Sequence, residues 1–186
     1  MNKLFLLALF ALVALYIFSP QYSRKENTVL PTITIAPSPT HGPNEIYVKR
    51  VIDGDTFVLN TDERVRYIGI NSPEISDNRD KVQCFAVEAF MANKSLVEGK
   101  TVRLEKDVSN VDKYGRLLRY VYVADPSYQV TPGVTPTNEI FINDYLVKHG
   151  FAQVVTYPPD VKNHKLFLAS QKEAKAGLLG VWQNCK

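Results

Sequence analysis

Residues 52–74 read Ile-Asp-Gly-Asp-Thr-Phe-Val-Leu-Asn-Thr-Asp-Glu-Arg-Val-Arg-Tyr-Ile-Gly-Ile-Asn-Ser-Pro-Glu. Oxygen-bearing side chains gather at both ends of this stretch: Asp53 and Asp55 before it, Asn71, Ser72 and Glu74 after it. Carboxylate, amide and hydroxyl oxygens without His or Cys suit a hard cation such as calcium. Arg66 falls close to the same group, where a guanidinium can bind phosphate.

These side chains can cooperate only if the two ends meet. Residues 56–59 and 64–70 are strand-like runs separated by a polar turn of Asn, Thr and Asp, which predicts a β-hairpin. A hairpin returns the chain to its starting point, so the oxygens converge. On local grounds alone, Asp53 and Asp55 around Gly54 could equally be turn residues. Asp53 could also cap or support the site without touching a cation.

The 186 residues are enough for one domain with a sizeable core and a tail. The net charge of +3 is modest. Global charge therefore does not announce a nucleic-acid binder, and any attraction for phosphate must be local. Residues 1–18 carry Lys3 and then an apolar run, the pattern of a secretory signal. No small-x-small cleavage site follows, so the segment is either a signal peptide with a poor site or an uncleaved membrane anchor. Both put the remainder outside the cytoplasm, secreted or on the outer face of the cell membrane. Residues 19–44 are rich in Pro, Ser and Thr and read as an extended linker. The folded domain is expected over 45–186.

Within that domain, strands are expected at 46–52, in the hairpin, at 101–105 and at 117–124, with a short strand-like piece at 151–156. Helices are expected at 84–97, 139–149 (capped by Thr137 or Asn138) and 161–176. Loops cover 75–83 and 107–114, and 125–138 is an irregular excursion containing three prolines. Trp182 should pack the tail onto the domain. This order suggests an α+β, mainly β, fold: a five-stranded oligonucleotide-binding (OB) barrel with about three packed helices. The two cysteines, Cys84 and Cys185, are either unrelated buried thiols or one disulfide, which an oxidising compartment favours. Closing so long a loop could add about 4–5 kcal/mol in the chain-entropy model. His41, His149 and His164 are scattered and read as bystanders.

Three motifs in order are Ile-Asp-Gly-Asp-Thr at 52–56, Arg-Tyr-Ile-Gly-Ile-Asn-Ser-Pro-Glu at 66–74 and Asp-Lys-Tyr-Gly-Arg at 112–116. With these, the chain over about 46–182 resembles the staphylococcal nuclease (thermonuclease) family. The resemblance implies a calcium-dependent phosphodiesterase that cleaves DNA and RNA, leaving 3′-phosphate and 5′-hydroxyl ends. It implies that Asp55 and Asn71 bind calcium through side chains and Ser72 through its carbonyl. Glu74 becomes the general base, Arg66 and Arg116 the arginines that stabilise the transition state, and Lys113 and Tyr114 holders of the nucleotide phosphate. Two departures matter. Asn71 stands where the family has an aspartate, which removes a negative charge from the metal shell and should weaken calcium binding. Tyr157 stands where the family offers two tyrosines, leaving it as the one candidate for stacking or phosphate contact. A monomer is expected. The rival reading is a non-catalytic OB-fold nucleic-acid-binding or docking module tethered at the cell surface. Retention of Arg66, Glu74 and Arg116 together speaks against it.

Overall fold

The computed structural model describes residues 45–75, 82–125 and 138–185, all within the compact unit Thr40–Lys186. The N-terminal apolar segment, the linker, Thr137 and His41 lie outside the described residues, as does nearly all of the 125–138 excursion. No helix among the described residues is long and apolar enough to cross a membrane.

Strand β1 (Glu45–Asp53) turns through Gly54 into β2 (Thr56–Leu59), which pairs with β3 (Arg64–Tyr67); β5 (Thr101–Glu105) and β6 (Leu117–Ala124) follow helix α1 (Ala86–Val97). The sheet runs β3-β2-β1-β5-β6, and parallel pairing of β3 with β6 closes it into the expected five-stranded barrel. Register irregularities in β1 let it curve far enough to pair with β2 on one side and β5 on the other. Inside sit Val48, Phe57, Val65, Tyr67, Val102, Tyr120 and Val121, against which α1, α2 (Ile142–Lys148) and α3 (His164–Ala176) pack Val97, Leu146 and Phe167.

Alternation along β3 buries Val65 and Tyr67 and leaves Arg66 off the core. The closing register sets Arg66 opposite Leu118, two residues beyond Arg116. Barrel closure thus brings the hairpin and the 112–116 loop together, although about 50 residues separate them in sequence. Asn143 supports this seam: its Oδ1 accepts the Val121 N–H at 2.9 Å and its Nδ2 donates to Ile68 O at 2.9 Å.

Several expectations need correction. The run 64–70 is interrupted: Gly69 has φ +80, and a Cβ there would stand 2.7 Å from the Phe167 ring. Beyond it, β4 (Ile70–Asn71) leaves the barrel to pair with β8 (Gln153–Val154), which is all that forms of the 151–156 piece. The expected helix at 139–149 begins as β7 (Glu139–Phe141), added to β6. There Phe141 stacks on Tyr122 at 4.6 Å and Glu139 receives Arg103. With the helix starting at Ile142, Asn138 cannot cap it. Helix α1 begins at Ala86 because Phe85 adopts a left-handed conformation, and α3 begins at His164 rather than at 161. A short α4 (Val181–Asn184) carries Trp182, whose ring lies 4.4 Å from the Lys175 ammonium.

Candidate active site

Asp55 sits at the base of the site. It is 1 % exposed, at the turn between β1 and β2. Its Oδ2 accepts the Ser72 N–H at 2.7 Å and pairs with Arg66 Nη2 at 2.9 Å; its Oδ1 accepts the Thr56 hydroxyl at 3.1 Å. Burial pushes the carboxyl up to about 7, Arg66 opposes this, and the neighbouring Asp53 adds to it. Asp53 itself accepts the Asp55 N–H through Oδ1 at 3.0 Å, a support for the turn. The turn is also fixed from α1: Tyr67 donates to Asn93 Oδ1 at 2.7 Å, and Asn93 Nδ2 donates to Asp53 O at 2.9 Å.

Arg66 is held on both edges. Nη1 donates to the carbonyls of Tyr67 (3.1 Å) and Ile70 (2.9 Å), and Nη2 donates to Asn71 Oδ1 at 2.9 Å. The same Nη2 is the group paired with Asp55, so two of the expected ligand oxygens, Asp55 Oδ2 and Asn71 Oδ1, face one shared positive centre. Asn71 Nδ2 also reaches Ser72 O at 3.3 Å, which brings the expected carbonyl ligand beside the amide. Ser72 is buried, and its hydroxyl has no hydrogen-bond partner among the described residues. Asp55 Oδ2, Asn71 Oδ1 and Ser72 O are all hard oxygens gathered at one corner of the site, a donor chemistry that fits a hard metal ion. No group of three or more His, Cys, Asp or Glu side chains gathers among the described residues. An ion here would thus draw on amide, backbone, water and substrate oxygens as well as carboxylate.

The 112–116 loop is organised by Asp112. Its Oδ1 accepts the N–H groups of Tyr114 (2.9 Å) and Arg116 (3.0 Å), and its Oδ2 accepts Arg116 Nε at 2.7 Å. Burial works to raise the Asp112 carboxyl, but these hydrogen bonds hold it below the usual carboxylate range. Lys113 and Arg116 both approach the Tyr114 ring, which is 71 % exposed.

An open cleft of about 640 Å³ is lined by Arg66, Asn71, Glu74, Lys113, Tyr114, Arg116 and Tyr157. Seven expected site residues therefore share one cavity, while Asp55 and Ser72 lie buried behind its wall and meet it through Arg66 and Asn71. Cys84 and Cys185 are joined by a disulfide and are not part of the lining. His149 stacks on Tyr145 and His164 contacts the Thr156 hydroxyl; neither lines the cleft. Sequence reasoning passed over Asp160. This buried carboxylate lines the cleft and accepts the N–H groups of Val108 (3.0 Å) and Ser109 (2.7 Å). It fastens the turn that carries Tyr157 to the irregular segment between β5 and the 112–116 loop. Only the Pro-Pro-Asp turn signal at 158–160 hinted at it.

A closed OB barrel with an arginine-lined, oxygen-rich cleft defines a class of phosphate-handling proteins. The sequence profile of the family described as staphylococcal nuclease homologue matches residues 64–184. The thermonuclease of Staphylococcus intermedius is 37 % identical over 139 residues, 73 % of this chain and 74 % of the relative. That of Staphylococcus hyicus is 33 % identical over 140 residues, 74 % and 75 % of the two chains. Endonuclease YncB of Bacillus subtilis (strain 168) is 34 % identical over 142 residues, 74 % of this chain and 61 % of the relative. The chain belongs to the staphylococcal nuclease homologue family.

Proposed function

We propose that this nuclease is a calcium-dependent phosphodiesterase acting on DNA and RNA, with Glu74 as general base and Arg66 and Arg116 as transition-state stabilisers. The observation that carries this reading is the cleft itself. It gathers two arginines, the Glu74 carboxylate, a Lys113–Tyr114 pair and the exposed ring of Tyr157 beside the oxygens of Asp55, Asn71 and Ser72. Calcium held by Asp55, Asn71 and the Ser72 carbonyl would supply charge neutralisation at a phosphoryl oxygen.

The remaining roles follow from the side chains. The Glu74 carboxylate accepts a proton from a water molecule as its oxygen attacks phosphorus. The bond from phosphorus to the 5′ oxygen breaks, and that oxygen takes up a proton from solvent water to leave as a hydroxyl. Arg66 and Arg116 donate charge-assisted hydrogen bonds to the non-bridging oxygens, where charge builds during attack. Lys113 and Tyr114 hold a flanking phosphate, and Tyr157 offers a face to a base. A single-stranded or frayed substrate suits this arrangement, because it can present unstacked bases to these rings.

We also assign the protein to the outside of the cytoplasm, secreted or held by its N-terminal segment. The support is the Lys3-plus-apolar leader together with a disulfide, a bond that persists in oxidising compartments. Mass measurement of the mature N-terminus distinguishes the two forms.

The test of the mechanism uses the full chain with single-stranded DNA in calcium chloride and then in chelator. Chelation and Glu74→Gln should each remove most turnover, with Glu74→Gln still binding the oligonucleotide. Full activity in chelator refutes the metal requirement, and full activity of Glu74→Gln refutes the base.

A further inference from the structure

We infer that Gln83 is a positioning residue for Glu74, and that the Cys84–Cys185 disulfide holds Gln83 in place. This rests on the proposed role of Glu74. Gln83 and Glu74 are joined by two reciprocal hydrogen bonds: the Glu74 N–H donates to Gln83 Oε1 at 3.0 Å, and the Gln83 N–H donates to Glu74 O at 3.1 Å. Both bonds act on the Glu74 backbone. They fix the point from which its side chain enters the cleft.

The next two residues explain why Gln83 stays there. Cys84 is bonded to Cys185, 101 positions away in sequence. Phe85 has φ +67, a left-handed conformation that a bulky side chain rarely adopts unless its surroundings impose it. Its ring stacks on Phe151 with centroids 5.8 Å apart. This kink turns the chain from the Glu74 clamp into α1, where the Ala89 N–H bonds to Phe85 O at 3.1 Å. The far end of the bridge is also anchored. The Val181 N–H bonds to Gly150 O at 2.9 Å, and a Cβ on either Gly150 or Gly180 would collide with the other strand of backbone at 2.2 Å. The bridge therefore ties the start of α1 to a fixed part of the body. Three successive residues carry one constraint each, and the first of them holds the Glu74 backbone.

A general base must stand within hydrogen-bond reach of its water, and a displacement of about 1 Å can cost on the order of 100-fold in rate. Gln83 is not among the residues that line the cleft, so its loss should lower kcat and leave binding alone. The experiment compares the full-length wild type, Gln83→Ala, Glu74→Gln and the double variant on single-stranded DNA in calcium chloride, all with the disulfide intact. Gln83→Ala should lower kcat by about ten-fold with KM and oligonucleotide binding within two-fold of wild type, measured well below its melting temperature. In the Glu74→Gln background the same change should have no further effect. A merely structural Gln83 would lower the melting temperature and leave kcat at that lower temperature unchanged. Reduction with dithiothreitol, which converts the bridge to two thiols and is itself oxidised to its cyclic disulfide, should reproduce the kcat loss while near-ultraviolet circular dichroism remains native. If the reduced protein unfolds, the Gln83→Ala arm alone decides. A kcat within two-fold of wild type for Gln83→Ala, with Glu74→Gln inactive, overturns the inference. Full turnover by Glu74→Gln instead overturns the base assignment, and the inference falls with it.

Discussion

The space around Gly54 has no room for a side chain. A Cβ added there would stand 2.6 Å from both Cβ and Oγ of Ser72 and 2.9 Å from Ala89 Cβ, where 3.4–4 Å is ordinary contact. Neither neighbour can retreat easily. Ala89 is fully buried on α1, and Ser72 is fully buried with its N–H committed to Asp55 Oδ2 at 2.7 Å. Relief requires a movement of about 1 Å, and overpacking of this kind costs roughly 1–3 kcal/mol. For a folded unit of this size, about 2 kcal/mol corresponds to a melting temperature lower by roughly 8 °C. The movement falls on Asp55 or on Ser72, which share a hydrogen bond at the base of the site and are both proposed calcium ligands. Gly54→Ala should therefore lose on the order of 100-fold in kcat/KM and need more calcium for half-maximal activity. Removing two of the three clashes with Ser72→Gly in the same chain should recover about 1 kcal/mol relative to the sum of the single changes. Thermal melts and calcium-titrated turnover on single-stranded DNA read both effects. A Gly54→Ala protein that melts and titrates like wild type would refute the claim that packing of Gly54 against Ser72 places Asp55.

Three further outcomes follow from particular contacts. Asn71→Asp adds a carboxylate 2.9 Å from the centre that Asp55 also faces, so the calcium midpoint should fall by about ten-fold; equal midpoints sink the idea. Asn143→Ala strips the partners from Val121 N–H and Ile68 O inside the barrel seam, which should cost about 2–4 kcal/mol. A urea-derived loss below about 1 kcal/mol would contradict that account of the seam. Asp112 is depressed in the folded state, so its contribution is present above its unfolded value near about 3.9 and is lost as pH falls through the lower folded value. The stability gap between wild type and Asp112→Asn should thus be full at neutral pH and shrink below about pH 4. Urea midpoints at pH 7, 4 and 3 measure it, and a pH-independent gap argues against the linkage.

What was legible in the sequence was local. The hairpin, the oxygens at its ends and the Asp-Lys-Tyr-Gly-Arg loop are each contained within about two dozen residues, and side-chain type and period report such features directly. What was not legible depends on pairings between distant segments. Glu139–Phe141 has the apolar content of a helix start, but the free edge of β6 and the Tyr122–Phe141 stack draw it into the sheet. Asp160 acquires its role only because the fold lays it beside Val108 and Ser109, about 50 residues upstream. Phe85 carries no sequence mark of a left-handed residue; it adopts that conformation between the Cys84–Cys185 bridge and its stack on Phe151. The left-handed Gly69 can be rationalised from its type, but the Phe167 ring that forbids any side chain there is supplied by α3.

The two arginines show how far residue type alone carries the argument. Both are paired with an aspartate, yet the pairings do different work. Arg116 engages Asp112 through Nε, within a loop that the same carboxylate folds, so its aim depends on the loop being closed. Arg66 is held by four acceptors on two sides: the carbonyls of Tyr67 and Ile70 at Nη1, and the oxygens of Asp55 and Asn71 at Nη2. A lysine brings one nitrogen with three donors and cannot span both sides at once. The contacts at position 66 therefore fit an arginine and not a lysine by geometry, the charge being common to both. In the proposed reaction a phosphate entering the cleft would meet a guanidinium whose orientation is already set, which would leave little reorganisation for the chemical step.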